Sequence, residues 1–140
     1  MGYLGRAMLS AVLAVNTFFA AALMAGEREE AAQAAALTWL ALVVQGDYQA
    51  SWASAASLFK QQVSAAQWAQ AATNARRPFG ALRARRLRSA TYATSLPGAP
   101  DGHYVVLQFD AEYERKANAV ETVTPLLEAG QWRVSGYFIR

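Results

Sequence analysis

Val105-Val106-Leu107-Gln108-Phe109-Asp110-Ala111-Glu112-Tyr113 is the stretch whose reading decides the fold. Val105, Leu107, Phe109, Ala111 and Tyr113 occupy one parity, and Gln108, Asp110 and Glu112 the other. Side chains of a strand alternate between faces, so this period of two predicts a half-buried strand of an antiparallel sheet. One face meets a core and the other meets water.

The flanking segments repeat the pattern less cleanly. Pro97-Gly98 and Asp101-Gly102 bracket the preceding loop with turn chemistry. Upstream of that loop, Leu82 to Leu96 reads as a first strand in which Leu82 and Ala84 lie on one parity and Leu87 on the other. A bulge near Arg85 and Arg86 would reconcile them. Downstream, Lys116-Ala117-Asn118 reads as a short turn into a third strand, Ala119 to Leu127, whose Pro125 assigns that end to a sheet edge or terminus. Ala129-Gly130 then turns the chain into a fourth strand, Trp132 to Ile139. There Trp132, Val134 and Phe138 share one parity and Tyr137 the other.

Before Gly80 the period is helical. Ala31 to Val44 is apolar almost all round and rich in Ala and Leu, which predicts a buried helix ended by Gly46. Asp47 can cap a second helix in which Tyr48, Trp52, Ala55, Ala56 and Phe59 recur at helical spacing. Ser64-Ala65-Ala66-Gln67 is a capping-box pattern, with Val63 and Trp68 placed for a hydrophobic staple. That third helix must stop near Arg77, because Pro78 disfavours helical geometry in the residue before it. The expected architecture is α+β: three N-terminal helices packed on a four-stranded antiparallel sheet that curls around the first helix as a cone.

Met1 to Arg6 carries one positive side chain, and Ala7 to Ala25 carries no charge at all. Residues 1–25 therefore read as a signal peptide, with an uncleaved N-terminal membrane anchor as the alternative. Residues 26–140 are left as one domain; the whole chain, 140 residues and 54% hydrophobic, is enough to bury a single core. The absence of cysteine excludes a lipoprotein attachment site, a disulfide framework and a thiolate metal site.

Charge is more informative in its distribution than in its total of +3. No acid occurs between Asp47 and Asp101, while Lys60, Arg76, Arg77, Arg83, Arg85, Arg86 and Arg88 all do. Arg83, Arg85, Arg86 and Arg88 alternate onto both faces of a strand without interleaved aromatics, which argues against nucleic acid. Their expected roles are ion pairs with Asp110, Glu112 and Glu114, or contact with anions or lipid headgroups.

No metalloprotease helix, phosphate-binding loop, dinucleotide fingerprint or nucleophile elbow occurs, and no metal or cofactor is expected. His103, the one histidine, reads as a solvated turn residue. Acid–base chemistry would need a buried carboxylate beside a phenol, drawn from Asp110, Glu112 or Glu121 and Tyr92, Tyr113 or Tyr137. Parity turns Asp110 and Glu112 away from the core. Glu121 stays open, since it alternates with Val120, Thr122 and Thr124. The candidate pocket residues are Trp52, Tyr92, Glu121 and Tyr137.

Segments that include Gly46-Asp47-Tyr48, Ser51-Trp52, Phe79-Gly80, Arg85-Arg86-Leu87, Leu96-Pro97-Gly98, Asp101-Gly102, Glu121-Thr122 and Trp132-Arg133-Val134-Ser135-Gly136-Tyr137 stand together in this order. They resemble a bacterial domain-of-unknown-function family, numbered four thousand and nineteen. The resemblance spans about Ala31 to Arg140, and Ala129 departs from the Asp it would place before Gly130. It implies an envelope-associated bacterial protein of unassigned activity. The element order is also similar to the nuclear-transport-factor-two-like superfamily, whose cone-shaped domains enclose a pocket. The resulting expectation is an exported, periplasmic or envelope-associated, non-catalytic domain that binds a small molecule or an envelope protein. It would pair through its sheet as a homodimer, bind no nucleic acid, and meet a membrane only through an uncleaved leader. The alternative is a small-molecule isomerase or hydrolase working with a buried carboxylate and tyrosine.

Overall fold

The computed structural model describes residues 26–140. The signal-peptide and anchor readings of residues 1–25 lie outside the described residues. No helix among the described residues is long and apolar enough to cross a membrane.

A first helix, α1, covers residues 26–44. Ala32, Ala36, Trp39, Leu40 and Val43 form its buried stripe at helical spacing. Gly46, at φ +77°, turns the chain out of it, a conformation that costs glycine nothing. The Arg76 guanidinium reaches across to the Val43 carbonyl and so satisfies an end-of-helix acceptor.

The expected second helix is two. Asp47 caps α2 (Tyr48–Ser54) through the Ala50 amide, and α3 (Ser57–Gln62) follows after Ala55 and Ala56 swing into extended geometry. The break has a non-local cause: the Ala56 N–H donates to the Val134 carbonyl at 2.8 Å instead of to a helical acceptor. Ala56 has no side chain to cap α3, and Glu128 does so from afar. Its carboxylate accepts from the Ser57 amide and hydroxyl, both at 2.9 Å. Helix α4 (Ala65–Arg76) carries the expected capping box and ends at Arg77, ahead of Pro78.

Four strands follow as an open antiparallel meander: β1 (Leu82–Ala93), β2 (Tyr104–Tyr113), β3 (Lys116–Glu128) and β4 (Gln131–Ile139), in that spatial order. The structure corrects five details. β1 ends at Ala93. It has two register shifts, which make Arg83 and Arg88 the extra residues, so the bulges flank Arg85 and Arg86 instead of falling on them. The β2–β3 turn is Glu114-Arg115, since Tyr113 pairs with Lys116. Pro125 lies within an internal strand, tolerated because the register shifts there against β4. That shift also brings Tyr137 opposite Val123 on the inner face and turns Phe138, 60% exposed, outward beside Thr122.

Helices cover one face of the sheet. Trp39, Leu40 and Val43 of α1, Phe59 of α3 and Trp68 of α4 share a core with Val105, Leu107 and Phe109 of β2, Val123 of β3 and Val134 of β4. Ser51 is a polar hub inside it. Its hydroxyl accepts from the Trp68 indole at 2.9 Å, and its carbonyl accepts from the Trp39 indole at 2.8 Å.

Candidate functional site

β3 alternates strictly in burial from Ala119 to Leu126, and this settles the facing of Glu121. Pairing with Phe109 on one side and Ile139 on the other sets it on the inner face, where its exposure is 0%. A carboxylate so placed must be matched by donors, and every other strand supplies one. From β1 the Arg85 Nε donates to Oε1 at 2.7 Å. From β2 the Tyr113 hydroxyl donates to Oε2 at 3.1 Å, and from β4 the Tyr137 hydroxyl donates to the same oxygen at 2.5 Å.

Arg85 reaches inward because of the bulge at Arg83. Leu82 faces in opposite Tyr113, and the extra residue lets Arg85, three positions on, face in opposite Ala111. Burial alone would depress its pKa; the hydrogen bond and charge of Glu121 outweigh that and hold it above the usual arginine value. Burial, and next the Glu121 charge, push both phenols above the ordinary tyrosine value. Arg85 and Glu121 thus stand in ion-pair geometry beside two phenols that hold their protons at neutral pH. Among the described residues the Arg85 Nη2 is buried without a hydrogen-bond partner.

This arrangement is poor at proton abstraction. Both oxygens of Glu121 are engaged, and the Arg85 guanidinium stands against it at 2.7 Å. Tyr137 packs its ring against Trp39 and Trp68, with centroids 5.5 and 6.1 Å away. Trp39, Phe59 and Trp68 fill the space between helices and sheet.

Of the four candidate pocket residues, only Glu121 and Tyr137 meet. Trp52 is half-buried at the α2–α3 corner, its indole N–H on the Val63 carbonyl at 2.9 Å and the Lys60 ammonium 5.7 Å from its ring centroid. Tyr92 belongs to another group: its hydroxyl bonds the His103 Nδ1, and the Arg28 guanidinium lies 3.4 Å above its ring. His103 is exposed, as expected, but partnered.

The four arginines of β1 divide in the same way. Arg85 is interior, Arg86 and Arg88 sit on Asp110 at 3.8 and 3.2 Å on the outer face, and Arg83 is exposed without an ion pair among the described residues. Sequence reasoning missed the Arg85–Glu121 pairing. The signal was present in the broken parity of β1, but only the position of its bulges decides which arginine turns inward.

The described residues form open recesses at the surface. One, of about 610 Å³, lies on the outer face between Arg86, Arg88, Asp110, Glu112, Asn118 and Val120. Another, of about 400 Å³, runs between α1 and β4. Among the described residues no group of three or more His, Asp or Glu side chains is disposed to hold a metal ion.

No curated protein and no solved structure matches the chain. Its family is nonetheless clear: the match covers residues 35–137, from the middle of α1 to Tyr137 in β4, and so takes in all four members of the Glu121 cluster. The chain belongs to the family described as a protein of unknown function, DUF4019.

Proposed function

We propose that the chain is an exported, non-catalytic domain of the bacterial envelope that binds a small ligand or a protein partner at its surface. The observation that carries this reading is the state of Glu121. Its two oxygens hold three donors at 0% exposure, so the one deeply buried acid is not available as a catalytic base. The aromatic filling of the interior points the same way and leaves the open recesses as the places where a ligand could sit. A thermal-shift screen of metabolites and lipids, with each hit then followed by NMR for hours, tests it. Binding with the ligand unchanged is the expected result, and turnover of any bound compound overturns the reading. Export is tested by mass spectrometry of the protein from its native host: a periplasmic chain beginning near residue 26 is expected, and a cytosolic chain retaining Met1 refutes it.

A second reading, pairing of two copies through the outer sheet face, is favoured by Phe138. That side chain is 60% exposed on a face that also presents Arg86 and Arg88 beside Asp110 and Glu112. Mixed charges around an apolar residue are self-complementary about a two-fold axis. Light scattering should then give twice the chain mass for the wild type and the chain mass for Phe138→Lys; a monomeric wild type at high concentration ends this reading.

A further inference from the structure

We infer that the groove between α1 and β4 is a binding site for a linear aliphatic carboxylate of medium chain length. The inference rests on the ligand-binding reading above and names its site and ligand class.

The groove has one wall from α1, where Ala34, Ala35, Thr38 and Leu42 form a stripe, and one from β4, where Trp132 and Val134 face it. At 1.5 Å rise per residue the stripe from Ala34 to Leu42 is about 12 Å long, which suits a medium acyl chain lying along the helix. The alanines are what leave the space. No charged residue occurs between Ala31 and Gly46, so the α1 wall offers nothing to a charged or strongly polar ligand body. The volume of about 400 Å³ falls within the size range of small-molecule sites.

One end of the groove is polar and cationic. The Arg133 guanidinium spans Ser54 and Gln131, 3.4 Å from the Ser54 carbonyl and 2.8 Å from the Gln131 side-chain oxygen. No acid lines the groove. Glu128 feels the Arg133 charge, but both its oxygens are engaged by Ser57. Arg133 therefore retains donors for an incoming carboxylate, and a guanidinium matches that group in planarity and charge. An apolar trough closed at one end by a single cation selects an amphipathic anion over a neutral or cationic amphiphile of equal length.

The test uses the protein with ¹⁵N-labelled tryptophan, titrated with decanoate, decanol and decyltrimethylammonium below their micellar concentrations, together with the mixed compound screen already described. Decanoate is expected to shift the Trp132 indole resonance in a saturable way, decanol more weakly and the cation not at all. Arg133→Gln should weaken decanoate binding about tenfold, the factor supplied by a charge-assisted hydrogen bond of modest strength. Ala35→Met, which fills the trough while keeping helix propensity, should abolish the shift. Equal binding of decanol and decanoate, or an Arg133→Gln variant with wild-type affinity, overturns the carboxylate assignment. If other compounds bind elsewhere while Trp132 stays silent to decanoate, the groove assignment falls and the ligand-binding reading stands. If nothing in the screen binds, the small-molecule reading falls with it.

Discussion

Replacing Glu121 by Gln tests whether the buried cluster stabilises the fold in the way its geometry implies. Three donors converge on the carboxylate: one guanidinium N–H and two phenolic hydroxyls. An amide of the same shape keeps one acceptor oxygen for Arg85 and turns an NH₂ toward the two phenols, whose oxygens can accept instead of donating, so the hydrogen bonds can be re-formed but the negative charge is lost. The larger effect is electrostatic, since the Arg85 guanidinium remains buried with no counter-charge. Breaking a buried ion pair from one side costs about 3–5 kcal/mol. A domain of this size is stable by roughly 5–15 kcal/mol in total, so the loss is a large fraction. Urea denaturation at pH 7 followed by tryptophan fluorescence should show it as a lower midpoint with an unchanged slope, and thermal melting as a fall of about 10–20 °C. Arg85→Met should be similarly costly. Arg85→Met with Glu121→Leu should be less destabilised than the sum of the singles, because both charges leave together. A Glu121→Gln variant within about 1 kcal/mol of the wild type would refute the reasoning, since it would mean that solvent reaches the pair.

Three further outcomes are expected. Tyr113 and Tyr137 hold raised pKa values through burial and the Glu121 charge, so their unfolded forms ionise first. Stability should therefore fall as pH rises above the unfolded value of about 10, and absorbance at 295 nm should hold back two phenols until unfolding; ionisation of all tyrosines in the folded protein speaks against this. Glu128→Gln should cost about 0.5–1 kcal/mol through the lost cap on α3. The Ser57 hydrogen bonds hold the Glu128 pKa down, so its contribution is present above the unfolded carboxyl value and disappears as pH falls through the folded one; a wild-type-to-Gln difference as large at pH 2 as at pH 7 contradicts the assignment. Ala129 adopts φ +51° in the β3–β4 turn, where an L side chain is strained, so Ala129→Gly and Ala129→Asn should each stabilise by about 0.5–1 kcal/mol in urea; destabilisation by both would show that the turn is not of this type.

Elements defined by local chemistry were legible in the sequence. The alternation of β2 and the Ser64–Gln67 capping box are both set by neighbours within four residues, and both are present as read. Features decided across the sheet were not. The break at Ala55-Ala56 depends on a carbonyl at Val134, far along the chain. Pro125 looked like an edge signal because a proline cannot join a ladder, yet the register shift beside it removes the demand for its amide. Glu121 was ambiguous because β-branched residues occupy both parities around it; only its pairing with Phe109 and Ile139 assigns a face. Tyr137 was assigned to the opposite parity from Val134, and the same register shift brings the two to one side.

The Glu121 cluster draws one side chain from each of the four strands, and this makes it a check on assembly. Sliding any strand by one residue would send its member to the opposite face and strand the remaining polar groups in apolar surroundings. A meander of consecutive hairpins can zip rapidly from several starting points, and it can also zip out of step. Misaligned sheets of this chain would be penalised at four places at once, whereas an all-apolar interior would tolerate the slip. The cluster can therefore be selected for even if it never touches a ligand.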